Sequence, residues 1–198
     1  GALGLKVRRA LSDQGDDPAL GRIMMERGQL SDGLAQLETA ASSNRVSCEL
    51  AWGLTLGFPF PDSLLKRYLE PSELEDGDSS YRIACTGISL VERGRGSELD
   101  SVLDRLRSAA ASSGDSTRIG RLIRSLKGYR AWKSGRLRRA ERLWAGHNDM
   151  FFFGAIWRSD LYRKLGDLEK AEGWYLAAWR HPVAHERLEA LRTEQAAE

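Results

Sequence analysis

Five positions recur in this chain at one fixed offset, and that regularity limits the possible fold more than any other feature. Gly128, Gly135, Leu137, Ala140 and Trp144 are each followed, 31 residues later, by Ser159, Gly166, Leu168, Ala171 and Tyr175. An N-terminal segment carries the same scheme in Gly21, Gly28, Leu30, Gly33 and Leu37, and Gly57 and Gly96 are candidates for equivalent turns. Each position has a physical role. A small residue on one helix lets a second pack close, and a glycine between them supplies the positive φ that stops the first. Leu, small and aromatic residues three and four apart then build an apolar stripe on the second helix. One short hairpin cannot bury such a stripe alone, so successive hairpins must cover one another.

The rest of the chain follows the same helical period, and strand alternation is nearly absent. Asp17-Pro18 reads as a cap and first turn, followed by Leu20, Ile23, Met24 and Arg27 on a helix that stops near Gly28. A second helix starts at Ser31 and sets Leu34, Leu37 and Ala41 on one side. Further helices are predicted near 46–56, 62–70, 80–93, 98–112, 117–133, 136–146, 149–164, 168–180 and 183–195. Gly57-Phe58-Pro59-Phe60-Pro61 cannot remain helical, and the acidic stretch 71–79 reads as a surface loop. Ser97 with Asp100 predicts a capping box for the helix at 98–112.

The segment Lys164-Leu165-Gly166-Asp167-Leu168-Glu169-Lys170-Ala171-Glu172, with Tyr162 before it and Tyr175 and Ala178 after it, resembles the turn and second helix of the tetratricopeptide repeat family. Gly128, Gly135, Leu137 and Ala140 match the same pattern. So do Leu20, Gly21, Gly28, Leu30 and Ala40, with Gly33 standing where alanine is usual. The family's early tryptophan is absent, with Arg124 and Ala155 in those places, and the closing proline is displaced to Pro182. The resemblance implies an all-α, right-handed α-solenoid of about five to six antiparallel helix hairpins, as one domain over 1–198. Its best repeats span 17–42, 117–146 and 149–180, with degenerate hairpins over 46–112 and a capping helix at 183–195.

Composition excludes several classes. Six Trp, five Tyr and five Phe rule out a wholly disordered chain, and five Pro with two Cys rule out collagen and a disulfide scaffold. Met150 to Trp157, the longest nearly apolar run, is too short to cross a bilayer. Cys48 and Cys85 have no ligand spacing around them and suit a reducing, cytoplasmic setting. The opening Gly1-Ala2-Leu3-Gly4 suggests a segment of a longer chain. No phosphate loop, dinucleotide fingerprint or nucleophile elbow is present, and Arg93-Gly94-Arg95-Gly96 reads as a turn. His181 and His185 are four apart but straddle a helix start, with only Glu186 near; His147 stands alone. Acidic pairs such as Asp16/Asp17 fit caps, and Phe151-Phe152-Phe153 fits a helix core. No catalytic residue, metal or cofactor is expected.

Charge is the remaining signal. The net charge is +2, yet Arg118 to Arg142 holds ten cations against Glu141 alone, or +9, leaving −7 elsewhere. Ile119, Leu122, Ile123, Leu126 and Tyr129 form an apolar face, with Arg121, Arg124 and Lys127 pointing away from it. Such a segment reads either as a solvated surface or as a site for an acidic partner. In the tetratricopeptide family, first helices line a concave peptide groove. The resemblance implies that Ser125, Tyr129, Trp132 and Lys133 face it from one unit, and Ile156, Asp160, Arg163 and Lys164 from the next. Lys133, Arg163 and Lys164 would hold carboxylates while Tyr129 and Trp132 offer flat contact area. The expected function is therefore a non-catalytic scaffold for a protein or peptide partner, acidic in character. The alternatives are nucleic-acid binding through Arg121, Arg124, Arg136, Arg138 and Arg139, a regulatory domain of a larger enzyme, and self-association through Trp174 and Trp179.

Overall fold

In the computed structural model the described residues are 18–40, 43–75, 78–145, 154–178 and 182–197. Among them are eleven α-helices and no strand. They are α1 Pro18–Glu26, α2 Leu30–Glu38, α3 Ser43–Thr55, α4 Asp62–Leu69, α5 Ser80–Glu92 and α6 Leu99–Ser113, then α7 Ser116–Lys133, α8 Leu137–Trp144, α9 Gly154–Lys164, α10 Leu168–Ala177 and α11 Pro182–Ala197. Short 3₁₀ turns, Pro71–Glu73 and Gly96–Glu98, precede α5 and α6. The chain divides into two compact units within α7: Gly1–Ile119 and Gly120–Glu198.

Glycine sets the hairpin turns. At Gly28, Gly57, Gly94, Gly135 and Gly166 φ is positive, between 74° and 82°. The same pair of hydrogen bonds closes each helix there. At Gly135, for example, its own N–H donates to Trp132 O and the Arg136 N–H to Ala131 O, both at 2.9 Å. The left-handed residue turns these two donors back onto carbonyls that would otherwise lack partners. One predicted turn is displaced. Gly94 takes the positive φ, while Gly96 begins the 3₁₀ turn. The predicted capping box at Ser97 does not form either. Glu98 is the N-cap of α6 without a side-chain cap bond, and the Ser101 hydroxyl donates to Glu98 O at 2.7 Å.

In the first unit α1 packs on α2 and α3, and α5 packs on α3, α4 and α6. Odd-numbered helices thus lie against one another in succession. Gly21 and Gly33 explain how closely α1 and α2 approach. A Cβ on Gly33 would stand 2.6 Å from Gly21 O and 2.5 Å from Met25 Cγ, so even alanine does not fit. Helix α5 is enclosed on every side: Arg82 to Leu90 are all buried. A residue such as Arg82 survives there because Asp78 Oδ1 accepts from it at 2.5 Å and Glu73 O at 3.1 Å.

The second unit is built on aromatic rings. Tyr129 lies 4.1 Å from Trp157 and 5.5 Å from Trp132, centroid to centroid, and Trp144 lies 6.2 Å from both tryptophans. Trp144 reaches this cluster because Gly128 has no side chain: a Cβ there would meet the indole Nε1 at 2.2 Å. That nitrogen donates to Ser125 O at 3.1 Å. Each such ring pair adds about 0.5–1.5 kcal/mol beyond the area it buries. Helices α9 and α10 pack as a hairpin, and α11 packs on α10.

Candidate functional site

The helix period that buries Ile119, Leu122, Leu126 and Tyr129 leaves the opposite side of α7 in solvent. Arg121 and Arg124 are exposed there, Lys133 is exposed at the end of the helix on the Tyr129 side, and Arg136, Arg138, Arg139 and Arg142 are exposed at the start of and along α8. Arg138 bonds Glu141 at 3.0 Å, and the Arg136 Nε donates to Ser134 Oγ at 3.0 Å. Arg121, Arg124, Arg139 and Arg142 meet no carboxylate among the described residues. Arg121, Arg124, Arg139 and Arg142 therefore face solvent without a carboxylate beside them.

The eight expected groove residues separate into three groups. Tyr129 is fully buried and Trp132 is 9% exposed, so the flat contact area expected of them lies in the aromatic core instead. Tyr129 packs against Trp132 and Trp157, and Trp132 against Trp144 as well. Ser125 is half-buried, and its backbone carbonyl holds Trp144. Asp160 and Arg163 are engaged by α11, not open to a partner. The Tyr175 hydroxyl donates to Asp160 Oδ1 at 2.6 Å, Arg187 donates to Asp160 Oδ2, and Arg163 pairs with Glu194. Burial and the adjacent Asp160 carboxylate push the Tyr175 phenol well above its usual range. The bond to Glu194 holds the Arg163 guanidinium still more firmly protonated. Ile156, also expected in the groove, is buried.

Lys133 and Lys164 form the third group. Both are exposed, and they occupy equivalent places at the ends of α7 and α9, 31 residues apart. Their Nζ atoms lie 5.5 Å and 5.4 Å from the centre of the same ring, Trp132. Each ammonium rests on the π-system through its quadrupole. Measured from one ring centre, the two nitrogens stand no more than about 11 Å apart, comparable to the ~8–10 Å over which salt screens exposed charges. The indole thus gathers two cations from consecutive hairpins, which the sequence pattern alone does not reveal.

The other candidates resolve as structure. Arg93 and Arg95, from the Arg-Gly turn, both donate to Glu70 Oε1 at 2.7 Å, and Arg95 also binds Glu98. Partial burial raises the Glu70 pKa, but the bonds from Arg95 and Arg93 outweigh it and lower the carboxyl below its usual value. Trp174, expected at a self-association surface, is half-buried with the Arg158 guanidinium carbon 4.5 Å from its ring centre. His185 is exposed on α11. His147, Phe151, Phe152, Phe153, Trp179, His181 and the Asp16-Asp17 cap lie outside the described residues. Among the described residues no group of three His, Cys, Asp or Glu is placed to hold a metal ion, and no helix is long and apolar enough to cross a membrane. The chain matches no protein-family model, no curated protein and no solved structure in these comparisons.

Proposed function

We propose that this chain is a non-catalytic interaction module that binds an acidic peptide or protein segment on the basic side of its second unit. The observation that carries the reading is the pair Lys133 and Lys164, set over one indole by consecutive hairpins. A carboxylate held between two ammonium groups relieves their mutual repulsion and gains from both. Arg121, Arg124, Arg139 and Arg142 extend the positive field and raise the encounter rate for a negatively charged partner. The tetratricopeptide-like reading is supported by the succession of odd-numbered helices within the first unit and by the repeated glycine turns. In that reading each unit is a short stack of hairpins, of right-handed solenoid type, and Lys133 and Lys164 mark the groove side.

The experiment uses fluorescence anisotropy with two probes, a labelled Asp/Glu-rich peptide and a labelled single-stranded oligonucleotide, over a range of salt. The expected result is peptide binding that falls by about tenfold or more in the Lys133→Glu/Lys164→Glu variant, a loss of at least ~1.4 kcal/mol. Unchanged peptide affinity in that variant overturns the reading. Binding of the oligonucleotide alone, with a steep salt slope abolished by Arg121→Glu/Arg139→Glu, would favour nucleic acid instead.

A further inference from the structure

The two cysteines of this chain lie 37 residues apart in sequence, on α3 and α5. The packing of those two helices brings them together, with Cys48 Sγ and Cys85 Sγ 2.6 Å apart. Both are free thiols. Their surroundings differ in a way that matters for chemistry. Cys85 is fully buried on the enclosed helix α5. Cys48 is half-buried and lines an open cavity of about 410 Å³, together with Arg45, Glu49, Ser79 and Tyr81. One sulfur is therefore reachable from solution, and the other is reachable only through the first.

We propose that Cys48 and Cys85 are a reversible redox site that closes to an intramolecular disulfide when the chain meets a small-molecule disulfide. The Cys48 thiol loses its proton to solvent, and its sulfur attacks one sulfur of the reagent R–S–S–R. That bond breaks, one RS⁻ leaves and takes up a proton, and a mixed disulfide stands on Cys48. The cavity beside Cys48 gives the attached R group space. Cys85 then loses its proton, attacks Cys48 Sγ and expels the second R–S⁻, which is protonated in turn. Two protein thiols are oxidised, and one reagent disulfide is reduced to two thiols. A disulfide bond spans about 2.05 Å, so the sulfurs need only a small approach. Burial, and contact with Cys48, raise the Cys85 pKa well above its ordinary value. Cys85 thus stays a thiol until its neighbour is activated, which fixes Cys48 as the attacking group.

The closed bond would tie α3 to α5 across α4 and restrict the unfolded chain over the loop between them. The test incubates the full chain in buffers of graded ratio of oxidised to reduced glutathione, then counts free thiols and measures mass. The expected result is the loss of both thiols in one step, a monomer lighter by two hydrogens, and full reversal by dithiothreitol. Thermal unfolding of the oxidised chain should shift upward by roughly 5–15 °C. Cys85→Ala should stop at a stable glutathione adduct on Cys48, and Cys48→Ser should leave Cys85 unreacted while folded. The proposal is overturned if both thiols survive the most oxidising buffer, if the wild-type chain stops at the adduct, or if only cross-linked dimers form. Should Cys85→Ala not fold, the Cys48→Ser result decides: rapid reaction of Cys85 there would contradict the assigned order.

Discussion

The two units use the same hairpin turn but differ in how one group of arginines is partnered. In the first, arginines are turned inward onto carboxylates. Arg22 bonds Glu26 at 2.8 Å and Glu49 at 2.7 Å, Arg82 bonds Asp78, and Arg93 and Arg95 share Glu70. Burial alone would lower the Arg22 pKa, yet the two carboxylates outweigh it and raise it. In the second unit, Arg121, Arg124, Arg139 and Arg142 face solvent, and four aromatic rings fill the core beneath. Paired charges specify how helices sit against one another, since a partner lost from a buried pair is costly. Unpaired exposed charges specify nothing inside the fold, and so remain available to something outside it. The glycine turn is common to both; what separates them is whether these arginines have carboxylate partners.

The largest effect should come from attacking the aromatic core. Trp144→Ala removes the ring that fills the space above Gly128, and should cost about 3–5 kcal/mol, with the second unit unfolding first. Tryptophan fluorescence reads this unit preferentially, because only Trp52 of the six lies in the first. Hydrogen exchange should show α5 still protected. Equal loss of protection in α5 would break the comparison, since the units would then unfold as one. Next in size is glycine. Gly33→Ala drives a Cβ against backbone at 2.6 Å and should cost about 1–3 kcal/mol in the first unit. Gly173→Ala, in α10 with nothing within 4 Å, should stabilise the second by about 0.5–1 kcal/mol. Matching signs in chemical denaturation would show that close approach is not what selects Gly33.

Titration sharpens the contrast further. Glu70 has a folded pKa below its ordinary 4.5, so its stabilisation is present above that pH and lost as pH falls through the folded value. Tyr175 has a folded pKa above its ordinary 10.0, so its contribution is full below pH 10 and lost as pH rises beyond it. The first unit should therefore weaken in acid through Glu70, and the second in alkali through Tyr175. Glu70→Gln and Tyr175→Phe should each flatten one limb of the profile, as followed by hydrogen exchange of the separate units. An alkaline limb left intact by Tyr175→Phe would remove that residue from the account.

Much of the fold was legible because glycine acts locally. Gly28, Gly57, Gly135 and Gly166 stop helices by their own backbone freedom, and all four turns fall where the pattern sets them. The failure at Gly94 and Gly96 is equally instructive. Both glycines satisfy the local rule, and the flanking arginines, Arg93 and Arg95, are gathered by Glu70, 23 and 25 residues away. Long-range contacts also decide the site. The helix period places Tyr129 correctly on the apolar face, whereas the family resemblance puts it in the groove; packing against Trp157 agrees with the period. Asp160 and Arg163 read as open groove residues because nothing nearby in sequence announces Arg187 and Glu194, which arrive from α11. The cysteine contact is hidden for the same reason: only the packing of α3 on α5 creates it.

The smallest effect is the most discriminating. If the exposed cations of the second unit serve only a partner, removing them should not harm the fold. Arg121→Gln/Arg124→Gln/Arg139→Gln should leave stability within about 0.5 kcal/mol of the parent, because none of the three bonds a carboxylate. The sign should lean towards stabilisation, since like charges along α7 and α8 repel one another. Salt exposes the same term by another route. Raising it from about 0.1 M to about 1 M shortens the screening length from ~10 Å to ~3 Å, so the melting temperature of the second unit should rise slightly in the parent and not in the triple variant. The first unit, where Arg22, Arg82, Arg93 and Arg95 are partnered, should show the opposite trend as its exposed pairs are screened. A loss of stability in salt that the triple variant abolishes would mean that Arg121, Arg124 and Arg139 are engaged within the fold after all, and the contrast between paired and solvent-facing arginines would fail.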